Sequence, residues 1–203
     1  MIPANHSVAA YTGSGLVPWL DEVARLRIEV FREWPYLYDG YADAERRYLR
    51  TYVDVADALL VICRDDTGVV GASTALPLRA ETADITAPFR AAGIDLSRVL
   101  YCGESVLDAH HRGQGIGVRF FEERERHARR LAGVDTLAFC AVQRDAADPR
   151  RPTSYQPLDA FWRRRGFVPR PDLRTTLSWR ELGESAESPK PMMFWLKSLE
   201  TRA

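Results

Sequence analysis

The sequence predicts an α/β (α+β) chain built on a central mixed, mostly antiparallel sheet with one parallel strand pair and helices on its flanks. Three observations predict it. Residues 99–107 read as a buried apolar strand, and a glycine-rich turn, a long amphipathic helix and a second strand at 136–142 follow. A strand-helix-strand unit of this kind implies a parallel pair with a right-handed crossover. Residues 59–63 and 69–76 flank Asp65-Asp66-Thr67-Gly68, turn chemistry that suits an antiparallel hairpin. Residues 175–179 and 192–196 pattern as a closing strand pair.

Taken in order, residues 8–11 form a short first strand, and Gly13 to Gly15 end it before Pro18 opens a helix. Leu20, Val23, Ala24, Ile28 and Phe31 recur at helical spacing, so this helix faces the core. It stops at Pro35, because the residue before proline resists helical geometry. The segment 34–41 is unusually aromatic for a loop. A second helix spans 42–52, with Arg46, Arg47 and Arg50 outward and Tyr48, Leu49 and Tyr52 packed. A short helix at 87–92 is closed by Gly93. After the glycine turn, Ile116, Phe120, Phe121, His127, Ala128 and Leu131 share a face, with Glu122–Arg126 and Glu125–Arg129 as outer i,i+4 pairs and Gly133 as the stop. Residues 143–156 are a polar loop long enough to suggest function or mobility. Pro157 starts a short helix carrying Leu158, Phe161 and Trp162, which Gly166 ends.

At 203 residues and 46% apolar composition, the chain can bury a full core as one domain over residues 1–203. Its 28 basic and 28 acidic side chains balance, so no global field draws it to nucleic acid or an anionic membrane. Cys63, Cys102 and Cys140 are odd in number, lie in apolar strands and lack metal-type spacing, which fits a reduced cytoplasmic setting. Residues 1–6 lack the charged start and apolar core of an export signal, and no apolar run reaches the ~18 residues that span a bilayer. His110 and His111 are adjacent without partner spacing, so the sequence assigns no metal.

Residues 112–117, Arg-Gly-Gln-Gly-Ile-Gly, read as an anion cradle. Alternate glycines let the backbone turn tightly, and the first amides of the next helix lack intrahelical partners. With the positive end of the helix dipole, they favour a phosphate. A P-loop needs a Gly-Lys-Ser/Thr ending, which Ile116-Gly117 does not supply. A dinucleotide turn needs G-x-G-x-x-G and an acidic residue closing the next strand, whereas Asp135 begins its strand.

Arg112, Gly115 and Gly117 match the Gln/Arg-x-x-Gly-x-Gly/Ala signature between a strand and a helix, and residues 161–167 look like an aromatic helix ending in Gly-Phe. In these motifs and in its order of elements the chain resembles the GNAT superfamily of acyl-CoA-dependent N-acetyltransferases. The resemblance implies a GNAT-like sheet whose parallel pair is splayed, with acetyl-CoA as co-substrate and no metal. The amides of Gln114, Gly115, Ile116 and Gly117, beside Arg112 and Gly113, would bind the pyrophosphate. Each charge-assisted bond is worth about 1.5–3 kcal/mol, against about 4–15 kcal/mol to immobilise a ligand, so the pantetheine arm must contribute. It would lie between residues 104–107 and 138–142, against Ser105, Val106 and Leu107, with Trp162 nearby.

The resemblance also places the chemistry. Glu104 is the leading general base for the acceptor amine, on the same strand face as Cys102 and Val106 by period-2 reading. Many members carry a tyrosine general acid where Trp162 stands here, and an indole N–H cannot protonate a thiolate usefully. Tyr155, or Tyr101, is then the candidate acid, or coenzyme A leaves as the thiolate. Cys102 and Cys140 read as inert core thiols. The aromatic loop, with Glu33, Trp34, Tyr36 and Tyr38 (and Asp39), would shape a pocket for a cationic amine. The expected activity is acetyl transfer to a primary amine of a small molecule or protein, by a monomer or homodimer. The alternative is a non-catalytic acyl-CoA-binding module of the same fold.

Overall fold

The computed structural model describes residues 6–199; the segment 1–5, read above as lacking an export signal, lies outside them. Strands β1 (Ser7–Thr12), β2 (Leu59–Asp65), β3 (Gly68–Pro77), β4 (Val99–Tyr101), β5 (Ser105–Leu107), β6 (Thr136–Val142), β7 (Val168–Trp179) and β8 (Ser188–Ser198) form one sheet. Its order is β1-β2-β3-β4-β6-β8-β7, with β5 also paired to β3. The pair β4–β6 is parallel and every other pairing of these strands is antiparallel. The expected mixed sheet is therefore present.

Helices cover both faces. Leu20, Val23, Ala24 and Leu26 of α1 (Leu20–Phe31), Leu49 and Tyr52 of α2 (Ala42–Val53), and Ile85 and Phe89 of α3 (Ala83–Ala91) pack on Leu60, Ile62, Ala72 and Phe194. On the other face, Ile116, Phe120 and Phe121 of α4 (Ile116–Ala128) meet Val61, Leu100, Leu137 and Trp195, joined by Phe161 and Trp162 of α5 (Asp159–Arg164). Cover on both faces explains why β2, β3 and β6 read as continuous apolar runs rather than as alternation. No helix among the described residues is long and apolar enough to cross a membrane.

Several expectations are corrected. Residues 13–19 form a 3-10 stretch that contains Pro18, and α1 begins only at Leu20. The helix expected at 87–92 begins four residues earlier and carries Pro88 inside it. The closing strands run well beyond 175–179 and 192–196, because the edge position of β7 tolerates Pro169 and Pro171, and an irregularity between Arg170 and Arg174 absorbs the mismatch. On α4, Arg126 pairs with Glu123 and Arg119 with Glu122 at 3.2 Å in place of the expected Glu122–Arg126 pair, and Glu125 binds Lys197.

The most consequential correction concerns residues 99–107. They are two short strands, β4 and β5, separated by an irregular Cys102-Gly103-Glu104. The interruption cancels the period-2 reading: Cys102 joins the core under α4 and Val106 the core under α1, on opposite faces. Arg124 of α4, 2% exposed, braces the break by adding bonds to two carbonyls that already accept from Gly103 N–H and Thr74 N–H. It donates to Thr74 O through Nε (3.1 Å) and Nη2 (2.9 Å), to Ser105 Oγ (2.9 Å) and to Glu104 O.

Glycine is required at 103 for packing: a Cβ there would lie 2.2 Å from Tyr52 Oη and 2.7 Å from Thr74 Oγ1. Gly103→Ala is expected to destabilise the protein by about 1–3 kcal/mol, the usual cost of overpacking. Urea unfolding of both forms measures it, and an unchanged midpoint would show that Tyr52 is free to move aside.

Candidate functional site

The site is built where β4 and β6 part. Past the Cys102 N–H bond to Ala138 O (2.7 Å), β5 follows β3 while β6 follows β8 as far as Val142. A wedge opens between β5 and β6. Glu104 O and Asp108 N–H are both bonded to β3, so by strand alternation Val106 also turns toward β3. Ser105 and Leu107, rather than Val106, then direct backbone groups into the wedge, opposite those of Cys140 and Val142. Leu107 O already accepts from Arg112 Nε at 3.3 Å.

Glu104, 6% exposed, lies at the parting point. Its Oε2 accepts from Tyr48 Oη at 2.9 Å and pairs with Arg27 Nη1 at 2.7 Å. Tyr52 Oη is 2.8 Å from Tyr48 Oη, and Arg27 also binds buried Glu45 and lies over the rings of Tyr48 and Phe31. Burial works against the charge on Arg27, but Glu104 and Glu45 more than offset it and raise its pKa. The other carboxylate oxygen, Oε1, is buried without a hydrogen-bond partner, the only carboxylate oxygen so placed among the described residues. A buried acceptor left open in this way is costly and marks a place for a donor.

Other polar groups gather around it. Tyr101 Oη meets Cys140 Sγ at 3.1 Å across the base of the wedge. Burial pushes the Cys140 thiol up to about 12 and raises Cys102, as for the core thiols read at both positions, and it pushes Cys63 to about 11. Tyr36, raised by burial, lies within electrostatic reach of Cys140, Tyr155, Arg27 and Glu104. Tyr155 is half-buried, edge-on to Trp34 at 6.1 Å, and burial raises its hydroxyl too. Glu81 is a site group that the sequence gave no reason to choose. It sits in the irregular segment after β3, and burial pushes its carboxyl up to about 7, against the opposing bond from Thr82 N–H and with help from the charge of Glu104.

The four acceptor-loop candidates separate. Glu33 turns away to pair with Arg112 at 2.9 Å, and burial together with the charge of Glu45 raises the Tyr38 hydroxyl. Trp34 is buried beneath the Arg144 guanidinium, and the Tyr36 ring packs between Phe31 (4.6 Å) and Trp179 (5.8 Å). The loop is held from a distance: Arg144 donates to Pro35 O (2.7 Å) and Tyr36 O (3.2 Å) and pairs with Glu181 Oε1 (2.5 Å).

Beyond the outer end of β5 lies the cradle. Gly113 and Gly115 have φ of 76° and 84°, values that L side chains rarely adopt, and Gly115 is the N-cap of α4. Ile116 and Gly117 open the helix and have no carbonyl one turn behind them, and no acidic residue stands in the first turn. Gln114 Nε2 donates to His110 O at 3.1 Å. Phe161 approaches Gly117, while Trp162 packs on Phe139 (5.0 Å) and Trp195 (5.1 Å).

No protein-family model matches the chain, and no curated protein matches it in sequence. Solved structures do match in three dimensions. The ribosomal-protein-alanine N-acetyltransferase of Brucella melitensis superposes with a TM-score of 0.58 at 15% identity, over 94% of this chain and 99% of that one. Arabidopsis thaliana NAA60, in complex with a bisubstrate analogue, gives 0.60 at 11% identity over 95% and 98%. An aminoglycoside 6′-N-acetyltransferase complexed with coenzyme A gives 0.58 at 16% identity over 97% and 99%. At these identities the likeness is one of fold, and the fold is that of the GNAT-family acetyltransferases.

The raised Glu81 carboxyl carries a pH signature. A carboxyl that binds its proton more tightly when folded adds stability below its unfolded pKa of about 4.5, and loses that contribution as pH rises to about 7. Glu81→Gln is therefore expected to be more stable than the parent at pH 8 by about 1–3 kcal/mol, discounted for partial exposure, with no gain at pH 4.5. Thermal midpoints at both pH values test this, and equal differences at the two would refute it.

Proposed function

We propose that the protein is an acetyl-CoA-dependent N-acetyltransferase that passes the acetyl group directly to a primary amine of a small molecule or protein. The observation that carries this reading is the wedge between β5 and β6, which opens between a left-handed glycine cradle and a buried carboxylate oxygen that has no partner. The fold shared with acetyltransferases, one of them complexed with coenzyme A, supports it.

The residues present fit coenzyme A. The amides of Gln114, Gly115, Ile116 and Gly117, following Gly113 and flanked by Arg112, would hold its pyrophosphate at the start of α4. Backbone groups of Ser105 and Leu107 on one strand, and of Cys140 and Val142 on the other, would pair with the amides of the pantetheine arm as an added strand does. Phe161 and Trp162 would wall the cradle. The co-substrate supplies an activated acetyl thioester.

The chain's own groups handle the amine and its proton. Glu104 Oε1 receives an amine N–H, while Arg27 and Tyr48 hold Oε2 and so fix the carboxylate plane. As the amine is acylated it gives up a proton, which Glu104 accepts. Tyr155 and Tyr36 are the hydroxyls available to the leaving thiolate.

Thermal unfolding with acetyl-CoA, CoA, ATP and NADH tests the first half. At about 100 times the dissociation constant a ligand adds about 2.7 kcal/mol, on the order of 5–10 °C for a chain of this size. Only the CoA species are expected to act, and a response to ATP or NADH alone would overturn the reading. Glu104→Gln tests the second half: kcat on a responsive amine should fall about 10²- to 10⁴-fold while the acetyl-CoA shift persists. An unchanged kcat would move the base elsewhere. Coenzyme binding without turnover on any amine would indicate a non-catalytic acyl-CoA-binding module.

A further inference from the structure

On the far side of the cradle, β1, the β2–β3 turn and the 3-10 turn at Ala109–His111 converge. Ser7 pairs with Arg64, so the antiparallel register brings His6 opposite Asp65. The pairing of β3 with β5 brings the segment after Leu107 to the same end of the sheet. One donor atom each from His6, Asp65 and His111 then lie within 4.8 Å of one another, in half-buried positions. His111 Nε2 is 2.9 Å from Asp65 Oδ2, and its Nδ1 is 3.2 Å from Asp108 Oδ1. Asp65 is itself fixed, since its Oδ1 accepts from Thr67 N–H (2.7 Å) and Thr67 Oγ1 (2.6 Å).

We propose that His6, Asp65 and His111 form a binding site for a divalent transition-metal ion of the zinc class. Two imidazole nitrogens and one carboxylate oxygen, with a remaining position for water, are a donor set that such ions favour. Donors about 2.0–2.1 Å from a tetrahedral ion lie about 3.3 Å apart, so closing the site asks for a shift on the order of 1 Å. Asp108 behind His111 is the carboxylate that orients a ligating imidazole and presents its other nitrogen.

The competing arrangement is a closed ion cluster in which both carboxylates simply pair with the His111 ring. His6 argues against it. Its ring stands edge-on to His111 at 5.2 Å, and both of its nitrogens are buried without a hydrogen-bond partner. An ion cluster makes no use of them, whereas a bound metal consumes one. The sequence concealed this site, because the ligands lie 59, 46 and 105 positions apart and only sheet register joins them. Its consequence reaches the cradle: His110 and His111 directly precede Arg112, so an ion there would pin the entry to residues 112–117.

The experiment is a titration of the untagged, metal-stripped full chain with Zn²⁺, followed by calorimetry, and with Co²⁺, followed by its visible bands. One ion per chain is expected, with a rise in the thermal midpoint on the order of 5 °C at saturating Zn²⁺. His6→Ala and Asp65→Asn should each weaken binding at least about 10- to 100-fold, and Asp108→Asn by about 10- to 100-fold, while His110→Ala leaves it unchanged. His6 lies at the edge of the fold, and Asn at 65 keeps the turn-capping oxygen, so both variants remain folded for comparison. Absence of binding by the parent protein at tens of micromolar ion, or equal affinity in His6→Ala, would overturn the site.

Discussion

A break in the fourth strand, braced by a buried guanidinium, is the constraint on which the rest of the structure depends. A continuous strand over 99–107 would pair with β3 on one side and β6 on the other, and the sheet would have no opening. At Cys102-Gly103-Glu104 the chain instead changes partner. The carbonyls of Thr74 and Glu104, which accept from Gly103 N–H (3.2 Å) and Thr74 N–H (3.0 Å), are also gathered by Arg124 from α4. A carbonyl oxygen has two lone pairs, and the buried guanidinium, whose own donors need partners, uses the second of each to tie α4 to the break. The cradle sits at the start of the same helix. One helix thus braces the break with its side chain and offers amides at its N-terminus.

Buried charge organises the face opposite α4. Arg27 joins α1 to Glu45 on α2 and to Glu104 on the sheet, and Arg144 joins the aromatic loop to Glu181 beside the β7–β8 hairpin. Pairs removed from water in this way contribute little net stability, because desolvation offsets much of their attraction. Their effect is positional. Arg27 occupies one oxygen of Glu104 and leaves the other to the opening. Arg144 grips two successive carbonyls and lies over the buried Trp34 ring, which fixes the path of the aromatic loop. Holding such groups on packed elements before a ligand arrives lowers the ordering cost of binding.

Much of this was legible from residue pattern. The six-residue run 112–117 announced a cradle because its chemistry is local: left-handed glycines and a helix start need no distant partner. β6 was bounded correctly since its apolar run has polar residues at both ends. Other elements were legible only in part. β7 was truncated because Pro169 and Pro171 argue against a strand, and only an edge position excuses them. Glu104 was picked out from the sequence, but its neighbours were not: one skipped position in a strand reverses every face that follows. Nothing in the residue pattern singles out Glu45, Arg124 and Glu181, yet all three are buried, each against a partner far away in the chain.

What the sequence determined by itself is therefore what short-range chemistry controls: the mixed sheet, the strand-turn-helix at its centre, and the left-handed glycine turn that opens α4. Tertiary structure decided which side chains meet. It set the wedge, because parting strands require Arg124 and Gly103 to accommodate the break. It set the orientation of Glu104 through Arg27 and Tyr48, the near-neutral Glu81 through burial, and the His6–Asp65–His111 cluster through register. Each of these rests on contacts between residues distant in sequence, where desolvation and pairing are fixed only once the sheet has formed.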